Sequence, residues 1–302
     1  MTAATRMSPG DYARALGVVV IWGLNFVVMK LGLQGLSPMM LGALRFTVAS
    51  LPFLLFVPRP AVPWRFVVIY GMVQGVGQFG LLFVGLKLGM TAGMASVVMQ
   101  SQAFFTLVLA APLLGERARG HHWLGLVVAA LGLVVIATAH GEGPGQMTLI
   151  GFVLTLGASF MWAVSNLVVR FAGRAAPGYD PFAFIVWSSA MPIVPFLVFA
   201  TMTEGVDRTW ESVTGMGLRE MFAVLYLALL ATLLAYTLWT RLLKHHPAGR
   251  VAPFSLLVPV VGLWAGSFVF GEQLPLAQWL GTAGVLLGLL INQFGPRLVG
   301  RR

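Results

Sequence analysis

Long apolar stretches separated by short polar connections dominate the chain. They lie at about 12–31, 38–57, 66–88, 93–114 and 121–139, and again at about 148–171, 181–201, 220–243, 248–270 and 274–294. A stretch of ~20 apolar residues is long enough to cross a bilayer as a helix. Segments such as LGLVVAALGLVVIA at 124–137 are apolar on every side, which excludes the alternating pattern of a membrane β-barrel. The pattern therefore predicts ten transmembrane helices, with Pro38, Pro181 and Pro275 near three of their starts.

Composition supports this prediction and removes several classes of function. Of 302 residues, 58% are hydrophobic and 9% charged, whereas about a quarter of a soluble domain is charged. We therefore predict an all-α integral membrane protein with the lipid bilayer as a partner. Because the chain has no Cys, disulfides, thiolate metal sites and cysteine nucleophiles are excluded. The net charge of +10 is scattered between apolar runs, so we expect no nucleic-acid partner.

The distribution of Lys and Arg predicts the orientation. If the N-terminus faces the cytoplasm, most of the 19 basic residues fall on the cytoplasmic side. Only Lys30, Lys87, Arg208 and Arg219 then fall outside, and Arg45 lies within a span. Cytoplasmic loops of membrane proteins carry such an excess. Both termini are therefore predicted to be cytoplasmic.

The two halves of the chain repeat each other. Trp22 to Lys30 aligns with Trp162 to Arg170 at an offset of 140, and Tyr70 aligns with Tyr226 at an offset of 156. The second offset continues through the following spans, where Gly-Glu and Trp recur at the same spacing. Each half holds five spans, an odd number, so the second half enters the membrane from the opposite side. Inverted repeats of this kind are typical of secondary transporters, which bind substrate between the repeats.

Four segments carry a resemblance to a known family: WGLNFVVMKLGL, SPMMLGALRF, LGMTAGMASVVMQSQAFFTLVLAAPLLGE and FGEQLPLAQWLG. They resemble the EamA-type ten-helix proteins of the drug/metabolite transporter superfamily. The resemblance implies two inverted five-helix repeats, 1–140 and 141–302, around a central cavity in the bacterial inner membrane. WGLNF and MQSQAFFT are similar to the subgroup that exports O-acetylserine and cysteine-pathway amino acids.

Polar residues inside the spans are candidates for the cavity wall, because a polar side chain at bilayer depth usually faces the bundle interior. Asn side chains there can equally join neighbouring helices, and the glycines beside Gln74 and Gln78 also suit close helix packing. Gln100 and Gln102 are two residues apart, so we expect at most one to face the cavity squarely. The predicted substrate-binding residues are Trp22, Asn25, Gln74, Gln78, Gln100, Trp162, Asn166, Trp187 and Tyr236.

Arg45 is the charged residue predicted deepest in a span. Two interpretations are open. It can supply the counter-charge for a substrate carboxylate, or it can extend outward to the membrane surface or pair with helix carbonyls. The second interpretation is the simpler one.

The acidic residues all fall in termini, connections or helix ends. Glu116 and Glu272 are expected to cap the N-termini of the fifth and tenth spans. The adjacent pairs His121-His122 and His245-His246 do not suit a metal site, since helix neighbours diverge. We expect no metal and no cofactor.

These features favour one function over three alternatives. The favoured function is that of a transporter that exports small amino acids or related metabolites by alternating access, without a buried carboxylate relaying protons. Within the same superfamily, aromatic amino acids, other small metabolites or drugs are alternative substrates. An intramembrane enzyme is the remote alternative, since the spans show no HExxH, no Cys and no carboxylate pair. A membrane protein that only packs through its GxxxG contacts is the third.

Overall fold

Ten apolar helices form the bundle in the computed structural model, which describes residues 7–115, 119–141, 146–246 and 248–298. Nine are long enough to cross a membrane, and the helix at Pro38–Leu54 is shorter. In chain order they are α1 Pro9–Gly32, α2 Pro38–Leu54, α3 Trp64–Lys87, α4 Ala92–Leu114, α5 Gly120–Thr138, α6 Leu149–Ala175, α7 Pro181–Glu204, α8 Leu218–Leu243, α9 Pro253–Phe270 and α10 Leu276–Leu298. A short helix at Val206–Thr214 joins α7 to α8.

Helix starts follow the proline pattern of the sequence. Pro38 and Pro181 are the first residues of α2 and α7, and Pro275 directly precedes α10. The Ser37 hydroxyl and the Asp180 carboxylate accept backbone N–H groups in the first turns of α2 and α7. A proline at this position has no N–H to leave unpaired. The predicted placement of these prolines is confirmed.

Successive helices run in opposite directions, as contacts at the two ends of the bundle show. We call the end that holds the start of α1 the terminal face, and the opposite end the distal face. At the terminal face, His246 Nε2 lies 3.0 Å from Asp11 Oδ2. At the distal face, Arg219 Nη1 donates to Gln34 Oε1 at 2.8 Å, and Gln278 Nε2 donates to the Ala139 carbonyl at 2.9 Å.

The two halves meet in a symmetric contact between α5 and α10. A Cβ added to Gly132 would lie 2.6 Å from the Gly281 carbonyl oxygen, and one added to Gly125 would lie 2.6 Å from that of Gly288. At the offset of 156, Gly281 corresponds to Gly125 and Gly288 to Gly132. Each contact is therefore the counterpart of the other, which is the arrangement that a two-fold relation produces.

Departures from α-helical geometry also recur in both halves. The segments Gly71–Gly80 of α3 and Tyr226–Leu234 of α8 are π-helical and occupy equivalent positions. Short 3₁₀ turns follow at Met99–Ser101 in α4 and at Ala252–Leu257 before the main part of α9. Segments of π-helix and 3₁₀-helix inside longer helices are frequent at functional sites and hinges.

Apolar side chains cover the outside of the bundle as well as its inside. A cluster of buried apolar side chains, including Met29, Phe83, Leu227 and Leu263, runs through both halves. On α5 the side chains of Leu124, Val127, Leu131 and Val134 are exposed instead. Lipid tails are as apolar as these side chains, so the exposed surface fits a membrane. The chain is therefore a multi-pass membrane protein.

Candidate substrate cavity

A cavity of about 410 Å³ lies between the two halves. Its lining comes from α1, α2, α3 and α4 of the first half and from α6, α7, α8 and the start of α9 of the second. At the terminal face the lining reaches Tyr179 and the exposed side chain of Leu243. Pockets for small molecules usually hold ~300–1,000 Å³. The space is therefore sufficient for an amino acid or a metabolite of similar size.

The structure brings nearly all of the predicted site residues together at this cavity. Eight of the nine predicted substrate-binding residues line it, and so does Arg45. They are Trp22, Asn25, Gln74, Gln78, Gln100, Trp162, Asn166 and Tyr236. Their contact with a substrate remains a prediction.

Trp187 is not in the cavity lining. Its indole Nε1 donates to the Val57 carbonyl at 3.1 Å, and its ring packs edge-on against Trp64 with centroids 5.6 Å apart. This carbonyl lies just beyond the end of α2, so the hydrogen bond holds the indole at the terminal face. The prediction that Trp187 forms an apolar wall of the cavity does not agree with this position.

Contacts across the cavity connect the two halves. Gln74 Nε2 donates to the Tyr236 hydroxyl at 2.9 Å. The ring of Tyr236 lies 5.3 Å from that of Trp22, which also packs against Trp239 at 5.4 Å. The Trp22 indole donates to the Ala231 carbonyl at 3.3 Å, within the π-helical part of α8. The wall here is aromatic and held in place by hydrogen bonds.

Gln100 and Gln102 both line the cavity, although their spacing predicts that at most one of them faces it squarely. Gln100 Nε2 donates to the Ser255 carbonyl at 3.0 Å, while Gln102 Oε1 accepts from Asn166 Nδ2 at 2.8 Å. The reason is the 3₁₀ turn at Met99–Ser101, because a 3₁₀ helix rotates each successive residue further around the helix axis than an α-helix does. Gln102 is thus a cavity residue that the α-helical spacing missed.

The cavity lining also includes residues that the sequence pattern does not indicate. Tyr70, Phe79, Tyr179, Trp239 and Thr240 line the cavity. Tyr179 follows α6 and carried no signal of its own, because aromatic residues are common in such connections. Burial raises the pKa of its phenol above the ordinary value, so the hydroxyl is neutral at pH 7.

Arg45 is fully enclosed, with 1% of its surface exposed. Its Nε and Nη2 donate to Thr232 Oγ1 at 3.2 and 3.0 Å, and its guanidinium carbon lies 3.8 Å from the centre of the Phe79 ring. The side chain therefore does not extend to the membrane surface, and it contacts a hydroxyl and an aromatic ring rather than helix carbonyls. Cation–π contact and the hydroxyl stabilise the charge inside the bundle.

An ion pair closes the bundle at the distal face. Lys30 Nζ lies 2.9 Å from Glu272 Oε1, and Glu272 is 4% exposed. The same carboxylate accepts the backbone N–H groups of Ala92 and Gly93 at 2.7 and 2.9 Å. Glu272 thus caps α4 and not α10, which corrects the prediction from the sequence. The physical reason is tertiary packing, which places the α4 N-terminus beside it. Glu116 lies outside the described residues.

The chain is similar to known transporters over nearly its whole length. The EamA-like transporter family matches residues 12–138 and 149–293. A protein of Salmonella typhimurium described as a probable amino-acid metabolite efflux pump is 41% identical over 292 residues, covering 97% of each chain. Its counterpart in Escherichia coli K12 has the same description and is 39% identical over 96% of this chain and 97% of its own. A solved crystal structure that is 19% identical covers 97% of this chain and 98% of its own, with a TM-score of 0.65. That last likeness concerns the fold.

Proposed function

Because this chain belongs to the EamA-like transporter family, we propose that it exports amino acids or related metabolites across the bacterial inner membrane. The descriptions of the two similar efflux pumps support this substrate class. The observation that carries the proposal is the cavity itself. It lies between the halves and is lined by amide side chains and aromatic rings. None of the described residues that line it is an Asp or a Glu.

The unequal ends of the cavity support alternating access. Its lining reaches the terminal face at Tyr179 and Leu243, whereas Lys30 and Glu272 join the halves at the distal face. With both termini in the cytoplasm, as the basic residues predict, this conformation receives substrate from the cytoplasm. Release on the other side requires the distal contacts to break and the terminal end to close. The π-helical segments in α3 and α8 are suitable hinges.

The acidic residues support export down the substrate gradient. No Asp or Glu lines the cavity among the described residues. Glu272 is buried, but its carboxylate is occupied by Lys30 and two backbone N–H groups. Proton-coupled transporters usually place a titrating carboxylate or His in the translocation path. We therefore propose a facilitator for metabolites that accumulate in the cell.

The aromatic walls favour a second group of substrates. Trp22, Trp162, Tyr236, Trp239 and Phe79 all line the cavity. Such rings can pack against an aromatic side chain of a substrate. Aromatic amino acids are therefore the second candidate class.

Uptake into liposomes that contain the purified protein tests the proposal. Labelled cysteine, O-acetylserine, threonine, methionine and phenylalanine are each supplied without a gradient and with an imposed pH gradient. We expect saturable uptake of at least one amino acid without a gradient. The double variant Gln74→Leu/Gln78→Leu should lose this uptake yet remain assembled, whereas Gln146→Leu, an exposed glutamine between α5 and α6, should behave as wild type.

Two results would overturn parts of the proposal. If none of the five amino acids shows saturable uptake, the substrate class is wrong. If uptake requires the pH gradient at every substrate concentration, the proposal that the protein is a facilitator is wrong. Glu272 is then the first residue to test for protonation.

A further inference from the structure

Three buried polar atoms on the cavity wall lack hydrogen-bond partners among the described residues. They are Nη1 of Arg45, Oδ1 of Asn25 and Oε1 of Gln78. The three side chains are 1%, 8% and 3% exposed, and all of them line the cavity. Buried polar groups are almost always paired in folded proteins, so a set of unpaired ones in one cavity points to a ligand.

The environment of Arg45 directs its remaining donor group. Thr232 Oγ1 accepts from Nε and Nη2, and the Phe79 ring covers one face of the guanidinium. Thr232 in turn donates to the Leu227 carbonyl at 2.7 Å, which anchors it in the π-helical part of α8. The Nη1 group is left to bind something else. A guanidinium prefers a carboxylate or a phosphate as its partner.

The two amide oxygens require a donor. Asn25 Nδ2 faces Met29 Sδ at 4.0 Å, so the amide oxygen of Asn25 is its unused strong hydrogen-bonding atom. With Gln78 Oε1 it provides two acceptors without a full negative charge. These atoms can accept hydrogen bonds from a substrate ammonium group. A substrate that carries only a positive charge is disfavoured, because Arg45 is positive and no carboxylate is present in the described lining.

We infer that the cavity recognises a zwitterionic α-amino acid, whose carboxylate binds Arg45 Nη1 and whose ammonium group binds the amide oxygens of Asn25 and Gln78. This deepens the proposed function and rests on it. The second half cannot provide the same contacts, because Ser165 and Leu234 occupy the positions equivalent to Asn25 and Gln78. The groups that bind the two charged ends of the substrate therefore lie on α1, α2 and α3.

Ligand-induced stabilisation of the purified protein in detergent tests this inference separately from transport. The five amino acids named above are each compared with their methyl esters, which lack the carboxylate, and their N-acetyl forms, which lack the ammonium group. A ligand that binds only the native state raises Tm. For the amino acids that bind, we expect stabilisation at concentrations ~10-fold or more below those needed for either derivative, because each derivative leaves buried groups unpaired.

Variants assign the two ends of the ligand. In Arg45→Gln the preference for the acid over its ester should disappear, while the preference for the free amine over the N-acetyl form should persist. In Gln78→Met the preference for the free amine over the N-acetyl form should disappear, while the preference for the acid over its ester should persist. Arg208→Gln, an exposed arginine in the connecting helix, and Gln146→Met are the matched controls and should keep both preferences.

The inference is overturned if no free amino acid stabilises the wild-type protein, or if the methyl ester binds as well as the acid. Equal binding of the N-acetyl form would replace the zwitterion with a simple carboxylate anion. The wild-type comparison decides the matter even if Arg45→Gln fails to fold. If stabilisation behaves as expected but no amino acid is taken up into liposomes, the recognition site stands and the proposed transport fails.

Discussion

At the scale of single residues, Tyr236 connects the two halves through its hydroxyl group. The hydroxyl accepts a hydrogen bond from Gln74, and the ring packs against Trp22. Replacing Tyr236 by Phe keeps the ring and leaves the Gln74 amide unpaired in a buried place. A lost hydrogen bond of this kind costs about 1 kcal/mol.

We predict that Tyr236→Phe raises KM for amino-acid uptake by about fivefold, since 1.4 kcal/mol corresponds to a factor of ten. Saturable uptake into liposomes provides the measurement. Tyr12→Phe is the matched control, because Tyr12 is half exposed and packs against Phe254 outside the cavity. An unchanged KM in Tyr236→Phe would show that this hydroxyl does not shape the binding site.

Some cavity residues can be predicted from the sequence and others cannot. Asn25 and Gln74 are recognisable because a polar side chain inside an apolar span has few other places to go. Trp187 misleads because its indole N–H is satisfied by a carbonyl in a connection that no periodicity describes. Glu272 misleads because the helix end that it caps is distant in sequence.

At the scale of the helices, length and hydrophobicity were sufficient to predict the spans. The offset of 156 predicts which positions of the two halves correspond. The π-helical and 3₁₀ segments were not predictable, since they arise from packing between helices. They change the direction in which side chains point, and Gln102 lies in the cavity for that reason. The sequence therefore predicts the order of the helices better than the orientation of each side chain.

The glycine contact between α5 and α10 gives a prediction at this scale. A Cβ at Gly132 would lie 2.6 Å from the Gly281 carbonyl oxygen and 2.8 Å from Val285 N, which are backbone atoms that cannot turn aside. Gly132→Ala should therefore destabilise the protein by ~1–3 kcal/mol.

Thermal unfolding in detergent measures this effect as a lower Tm. Gly120→Ala is the control, because a Cβ there meets nothing within 4 Å, and it should unfold as wild type. If Gly132→Ala unfolds at the same temperature as Gly120→Ala, the two helices are not as close as the structure places them.

At the scale of the whole molecule, the two ends of the bundle differ. The distal face is joined by Lys30, Glu272 and the start of α4, whereas the lining of the cavity reaches the terminal face. Removing one partner of a buried ion pair leaves the other charge uncompensated, which destabilises the conformation that contains the pair. Lys30→Met should therefore favour the conformation that opens at the distal face.

Because the chain contains no Cys, a single introduced cysteine can report on this equilibrium. Val169 lines the cavity and is partly exposed to it, so Val169→Cys is a suitable reporter. In the Lys30→Met background, modification of this cysteine from the terminal face should slow by about twofold or more, as the population of the closed distal end falls. Arg14→Met removes an exposed arginine whose partner, Asp11, lies one turn away on the same helix, and it should leave the rate unchanged.

The most direct measurement of the central claim is the sidedness of Val169→Cys modification by a membrane-impermeant thiol reagent in oriented vesicles. The account predicts rapid modification from the face that carries both termini, little from the opposite face, and slower modification when a transported amino acid saturates the cavity. Modification mainly from the opposite face, or a rate that saturating substrate does not change, would contradict a substrate cavity that is open at the terminal face and closed at the distal one.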